Sequence, residues 1–157
     1  MTAETSETSP LMAALMLFCR ERAIAAAQAR KELEVNELDA KAILYIATHA
    51  GARPSELAGH LRVTSAGVTT MVERLVRRGI LRREADEADR RVSHIHLAVS
   101  LDEEPWSQLT RFHDAFRAVV SQLDSEVERE LAVFLTHATL TARDEIDRSA
   151  TGATSAA

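Results

Sequence analysis

The chain has 157 residues, one domain's worth, and at 46% hydrophobic and 27% charged residues it can bury a core without disulfides or metal. A single cysteine, Cys19, excludes an intrachain disulfide framework and suits a reducing compartment, so the expected location is the cytoplasm. The net charge of −5 counts against a nucleic-acid partner until its distribution is read: residues 53–91 hold nine arginines against six acidic residues, a locally basic module in an acidic scaffold.

Only six aromatics stand among abundant Ala, Leu and Arg, so helix should dominate over strand. Residues 1–10 are small and polar, lack the basic start and apolar run of a signal peptide, and read as a disordered tail, as do residues 149–157. The apolar run Leu11 to Cys19 is too short to span a bilayer and ends in Arg20-Glu21-Arg22, so no membrane partner is expected.

Leu11 to about Glu34 reads as a first helix, with Leu11, Leu15, Phe18 and Arg22 at helical spacing. Glu37 to His49 is a second, with Leu38, Ala42, Tyr45 and Ile46 on one side and Ala50-Gly51 as its stop. Arg53 to Leu61 is a short third helix, with Pro54 suited to its first turn. After a tight connection, Thr64 caps a fourth helix, Ser65 to Arg78, whose apolar face is Val68, Val72, Leu75 and Val76 and whose end is Gly79. Ile80 to Glu84 and Val92 to Val99 read as two strands joined by Ala85 to Arg91; Ile95 and His94 fall on opposite faces of the second. The acids Asp102-Glu103-Glu104 with Pro105 open a fifth helix, and Leu123-Asp124-Ser125 opens a last one running to about Arg148.

The order is a long helix, a helix-turn-helix, a β-wing and two further helices: a mainly α fold of six helices and a small β-wing. The long terminal helices carry more apolar edge than one chain covers, so a homodimer is the natural outlet. A helix-turn-helix presents the start of its second helix to base edges in the major groove. That task needs short polar side chains outward and an apolar back. Ser65, Ala66 and Gly67 open the fourth helix with almost no bulk, so its N–H groups can approach a phosphate. Thr69 and Thr70 offer hydroxyls to base edges and methyls to thymine, while Arg74, Arg77 and Arg78 lie further along and suit phosphates. Arg90 and Arg91 at the wing tip suit the negative potential of a minor groove, with Asp86 and Asp89 pairing to aim them. Each feature alone has a plainer explanation as a solvated face or surface loop; their order along the chain is what carries the reading. The rival is a winged helix that binds protein rather than DNA.

The stretch Pro54-Ser55-Glu56-Leu57-Ala58, then Val63-Thr64-Ser65, Val68-Thr69 to Leu75, Gly79-Ile80-Leu81-Arg82-Arg83, and Asp86 to Arg91 followed by Leu97, resembles the winged-helix signature of the MarR family of transcriptional regulators. The resemblance implies a single domain over residues 11–148, with the winged helix-turn-helix at about 37–99 and dimerisation helices at about 11–34 and 105–148. It implies an obligate dimer on a pseudo-palindromic double-stranded operator. The DNA-contacting set is then Thr64, Ser65, Ala66, Gly67, Thr69, Thr70, Arg74, Arg90 and Arg91, with Arg91 in the minor groove. It further implies repression relieved by a small-molecule effector held in a crevice between the dimerisation helices and the winged domain, for which Tyr45, Trp106, Phe112 and Phe116 are the available aromatics.

Other chemistries fare worse. Cys19 has no resolving partner and sits in an apolar run, so a buried structural thiol is expected. The histidines lack ligand spacing, so no metal or other cofactor is expected. Neither a Gly-rich phosphate loop nor a nucleophile elbow is present, so the chain is not read as an enzyme.

Overall fold

Six α-helices and one two-stranded sheet are formed among the described residues, 9–86 and 93–154 of a computed structural model. They fall into two units, residues 1–114 and 115–157, with the division inside the fifth helix.

In the first unit, α1 (Pro10–Glu32) starts with proline at the first turn, where a missing N–H leaves nothing unpaired. Only its end reaches the core: Ala29 is buried, and Leu33 and Val35 just beyond it join the main apolar cluster. Cys19 lies on the stretch of α1 that the chain leaves uncovered and is exposed, which corrects the expectation of a buried thiol.

α2 (Glu37–Thr48) is capped by Asn36, whose side-chain oxygen accepts from the Asp39 N–H at 2.8 Å. α3 (Pro54–Leu61) begins as expected, with Glu56 reaching back to accept from the Arg53 N–H at 2.7 Å. It ends at Arg62, which takes the left-handed conformation at φ 54°. α4 (Ser65–Arg77) is capped by Thr64, whose hydroxyl accepts from the Gly67 N–H at 3.1 Å. Gly79, at φ 70°, closes α4: its N–H reaches Val76 O and that of Ile80 reaches Leu75 O, both at 2.9 Å. A left-handed residue is needed there, and glycine enters that conformation without a Cβ clash.

β1 (Leu81–Ala85) and β2 (Ser93–Leu97) pair antiparallel, with Leu81 opposite Leu97, Arg83 opposite Ile95 and Glu84 opposite His94. The α2–α3 turn joins this sheet through a bridge between Ala52 and Ile95, with hydrogen bonds of 2.9 and 3.1 Å. The core lies beneath: Ile43 and Ile46 from α2, Leu57 from α3, Val68, Met71, Val72 and Leu75 from α4, and Ile80, Leu81 and Ile95 from the sheet. At about 1.5–3 kcal/mol for each fully buried side chain, this cluster is the main support of the helix-turn-helix.

The acids before residue 106 do not begin a helix. They occupy turns; a 3-10 helix follows at Trp106–Leu109, and α5 starts only at Arg111 and runs to Val120. Pro105 has no N–H to donate, and the bond from the Ser107 N–H to Glu103 O closes a turn around it.

In the second unit, α6 (Ser125–Thr154) is capped by Asp124, whose carboxylate accepts from the Glu126 N–H at 2.8 Å. It continues past Arg148 to Thr154, into the segment expected to be a tail. Its apolar stripe, including Val127, Leu131 and Phe134, is exposed. Among the described residues no helix is long and apolar enough to cross a membrane.

Candidate nucleic-acid interface

The two faces of α4 differ completely in exposure. Val68, Met71, Val72 and Leu75 are buried in the core, while Ser65, Ala66, Thr69, Thr70 and Glu73 face out. The helix start is thus open and its back fixed. Gly67 sits under the cap: a Cβ there would lie 3.3 Å from the Thr64 hydroxyl oxygen and crowd it. Thr69 and Thr70 donate their hydroxyl protons to Ser65 O and Ala66 O at 3.0 and 3.1 Å. What their oxygens present outward is therefore lone pairs, suited to an exocyclic amino group of adenine or cytosine.

The arginines assigned to phosphates divide. Arg74 reaches back to Asp39, its nitrogen 2.5 Å from the carboxylate. Asp39 is 2% exposed, the buried acidic residue beneath the helix-turn-helix. Arg78 donates to Glu34 O at 2.8 Å and Leu33 O at 2.9 Å, the last carbonyls after α1, which corrects its assignment to phosphate. Arg77 stays at the surface with a long bond to Glu73 O. Sequence reasoning missed the Asp39–Arg74 pair. The readable signal was an acid on the inward face of α2, in the stripe Asp39, Ala42, Ile43 and Ile46.

Arg90 and Arg91, with Asp89, lie outside the described residues. At the root of the wing, Arg82 pairs with Glu84. Asp86 meets His94, its carboxylate 3.0 Å from Nε2, while its expected pairing with the arginines of the turn lies outside the described residues. The Nδ1 of the same ring is 2.8 Å from Gly51 O. Asp86, then the Gly51 carbonyl, raise the His94 pKa above its ordinary value, against smaller opposing effects of burial and Arg53. His96, on the same face and 3.2 Å from Glu84, shifts the other way, lowered by burial first and then by Arg82 and His94. Ala50, Gly51, Glu84, Ala85, Asp86 and both histidines line an open cleft of about 620 Å³.

The aromatics assigned to a ligand crevice take separate partners. Tyr45 stacks between His49 and His60 at ring distances of 4.1 and 4.2 Å, and Trp106 packs on the core. Phe112 meets Phe18 at 5.7 Å, and Phe116 belongs to the second unit.

Comparison with known proteins agrees with this architecture. No curated protein matched the sequence. Among solved structures, the Staphylococcus aureus MepR–DNA complex is 21% identical, with a TM-score of 0.58 over 81% of this chain and 96% of that one. S. aureus MepR bound to ethidium bromide is likewise 21% identical, with a TM-score of 0.61 over 82% and 93%. The transcriptional regulator Tm0710 of Thermotoga maritima is 22% identical, with a TM-score of 0.58 over 88% and 97%. These likenesses show a shared winged-helix fold. The family model described as the MarR family matches residues 35–93, from just before α2 to the first residue of β2. That segment holds the capped helix α4 and its apolar seat, so the part of the chain that is similar to the MarR family is the helix-turn-helix and the first strand of the wing.

Proposed function

We propose that this protein is a cytoplasmic, homodimeric repressor that reads a pseudo-palindromic operator with α4 and is released by a small-molecule effector. The observation that carries the proposal is the exposed, small-residue start of α4, held on a fully buried back and capped by Thr64. Such a surface lets backbone N–H groups meet phosphate while Thr69 and Thr70 meet base edges. Arg90 and Arg91 serve the minor groove in this reading. The apolar residues exposed on α1, such as Met16 and Leu17, and on α6, such as Val133 and Phe134, support pairing with a second copy. A structural neighbour captured with DNA and one captured with ethidium support the two halves of the reading, operator binding and effector response.

The test is selection of duplexes from a random pool by the full chain, then titration across salt. Enrichment of a two-fold symmetric sequence is expected, with log K falling steeply against log salt as counterions leave. Thr69→Ala and Thr70→Ala should each cost about 1–3 kcal/mol on the selected site and relax one or two base positions. A flat salt dependence with no enriched sequence would transfer the module to protein docking. Phe134→Glu should yield monomers in sedimentation; a persistent dimer would remove α6 from the interface.

A further inference from the structure

His94 has an acceptor at each ring nitrogen: a carbonyl at Nδ1 and a carboxylate at Nε2. A carbonyl oxygen cannot donate, and an ionised carboxylate accepts only. A neutral imidazole has one N–H and can satisfy one of these partners, leaving two lone pairs facing each other at the second. The imidazolium satisfies both. We propose that His94, as the imidazolium, is a positioning residue for the wing, pinning the end of β1 at Asp86 to the α2–α3 turn at Gly51 and letting go as the proton leaves. The proposal rests on the DNA-binding reading above, because the pinned segment leads directly into residues 87–92, which contain Arg90 and Arg91.

The surroundings fit a pin. Gly51 is itself tied to β2 by its N–H bond to Ile95 O beside the Ala52–Ile95 bridge, so the Nδ1 contact ends on a turn held to the sheet. The charged groups facing the ring come from three sides. From β1, Asp86 attracts the proton, while Glu84, opposite in register, is engaged by Arg82 and lies beside His96. From β2, His96 has its pKa lowered by burial, then by Arg82 and His94. From the turn before α3, Arg53 opposes the charge, and Glu56 is occupied at the Arg53 N–H. At the end of α2, His49 is stacked on Tyr45. A metal fits less well, since a ligating ring must offer a lone pair where His94 faces acceptors, and no group of three or more potential ligands is gathered among the described residues.

The sign follows from the raised pKa. The contact is complete below the ordinary histidine value of about 6.5 and is lost as pH rises through the higher value of the folded protein. DNA affinity should fall over that same upper window.

The experiment uses the full chain with isotope-labelled histidine and a duplex recovered by the selection described above. The His94 ring should titrate above about 6.5, and Asp86→Asn should bring its midpoint down. Between pH 6 and 8.5 the wild type should lose several-fold more affinity than His94→Gln. Amide hydrogen exchange at Asp86, Ser93 and His94 in the free protein should quicken over the same window in the wild type and be quick throughout in His94→Gln. A His94 midpoint at or below 6.5, or a variant with the wild-type pH profile, would overturn the proposal. So would a profile abolished by EDTA, which would give the two histidines to a metal. If no duplex binds at any pH, the DNA reading fails by itself, and the titration and exchange still decide whether His94 is a pin.

Discussion

Arg74 tests whether a cation on α4 acts by touching phosphate or by seating the helix. Its guanidinium lies 2.5 Å from Asp39, whose side chain is 3% exposed against 40% for the arginine. Replacing Arg74 by Met keeps most of the apolar stem and leaves a buried carboxylate without its counter-ion. Breaking a fully buried pair in this way costs about 3–5 kcal/mol. Because the arginine side is open to water, the expected loss is smaller, about 2–3 kcal/mol, between the buried and surface cases. Asp39→Leu leaves a half-exposed arginine that water can solvate, so it should cost less than Arg74→Met. The double variant Asp39→Leu/Arg74→Met should be more stable than Arg74→Met alone, with a coupling energy of about 1–2 kcal/mol. Urea unfolding of the four proteins closes the cycle. The companion measurement is duplex affinity against salt. If Arg74 only seats α4, Asp39→Leu should weaken DNA binding about as much as Arg74→Met, with the salt slope unchanged. The reasoning is refuted if Arg74→Met unfolds within about 0.5 kcal/mol of wild type, the range of ordinary surface changes, while the salt slope falls by about one.

Two glycines with open space around them should respond in opposite directions. Gly79→Ala, at φ 70°, should destabilise by about 1–2 kcal/mol, whereas Gly59→Ala, inside α3, should stabilise by about 0.4–1 kcal/mol in thermal unfolding. Thr64→Ala removes the α4 cap and should cost about 1 kcal/mol by urea titration. Arg78→Met should cost about 1–2 kcal/mol and raise amide exchange at the end of α1, because two carbonyls lose a charged donor.

Helix boundaries in the winged segment were legible because their signals are local. Asn36, Pro54, Thr64 and Gly79 each act within a few residues, and the expected and observed limits of α2, α3 and α4 agree within one residue. The same local reading failed before α5, where the acids pointed to a helix start and the proline beside them imposed a turn. It failed again at the end of α6, where small polar residues continue a helix already under way. The site was legible in its outward face and illegible in its fastenings. Asp39 and Arg74 are 35 positions apart, His94 and Gly51 are 43, and Arg78 and Glu34 are 44. No periodicity encodes which arginine turns inward, since a guanidinium on the polar side of a helix suits a phosphate or a buried acid equally well. That choice is made by packing.

Arg78 ties the end of α4 to the chain just beyond the end of α1. Its planar guanidinium holds two adjacent carbonyls through two nitrogens, and a two-point joint resists twisting where a single bond would swivel. α1, with 23 residues, is a lever about 34 Å long, so a swing of about ten degrees carries its far end some 6 Å while the jointed end scarcely translates. What crosses the joint is therefore rotation. Thr69 sits about 13 Å along α4 from Arg78, and the same ten degrees sweeps its hydroxyl sideways by about 2 Å. That exceeds the tolerance of a hydrogen bond such as the one proposed above to a base edge. Were α4 to read DNA as proposed above, a modest tilt at the remote end of α1, passed through this joint, would be enough to take it out of register.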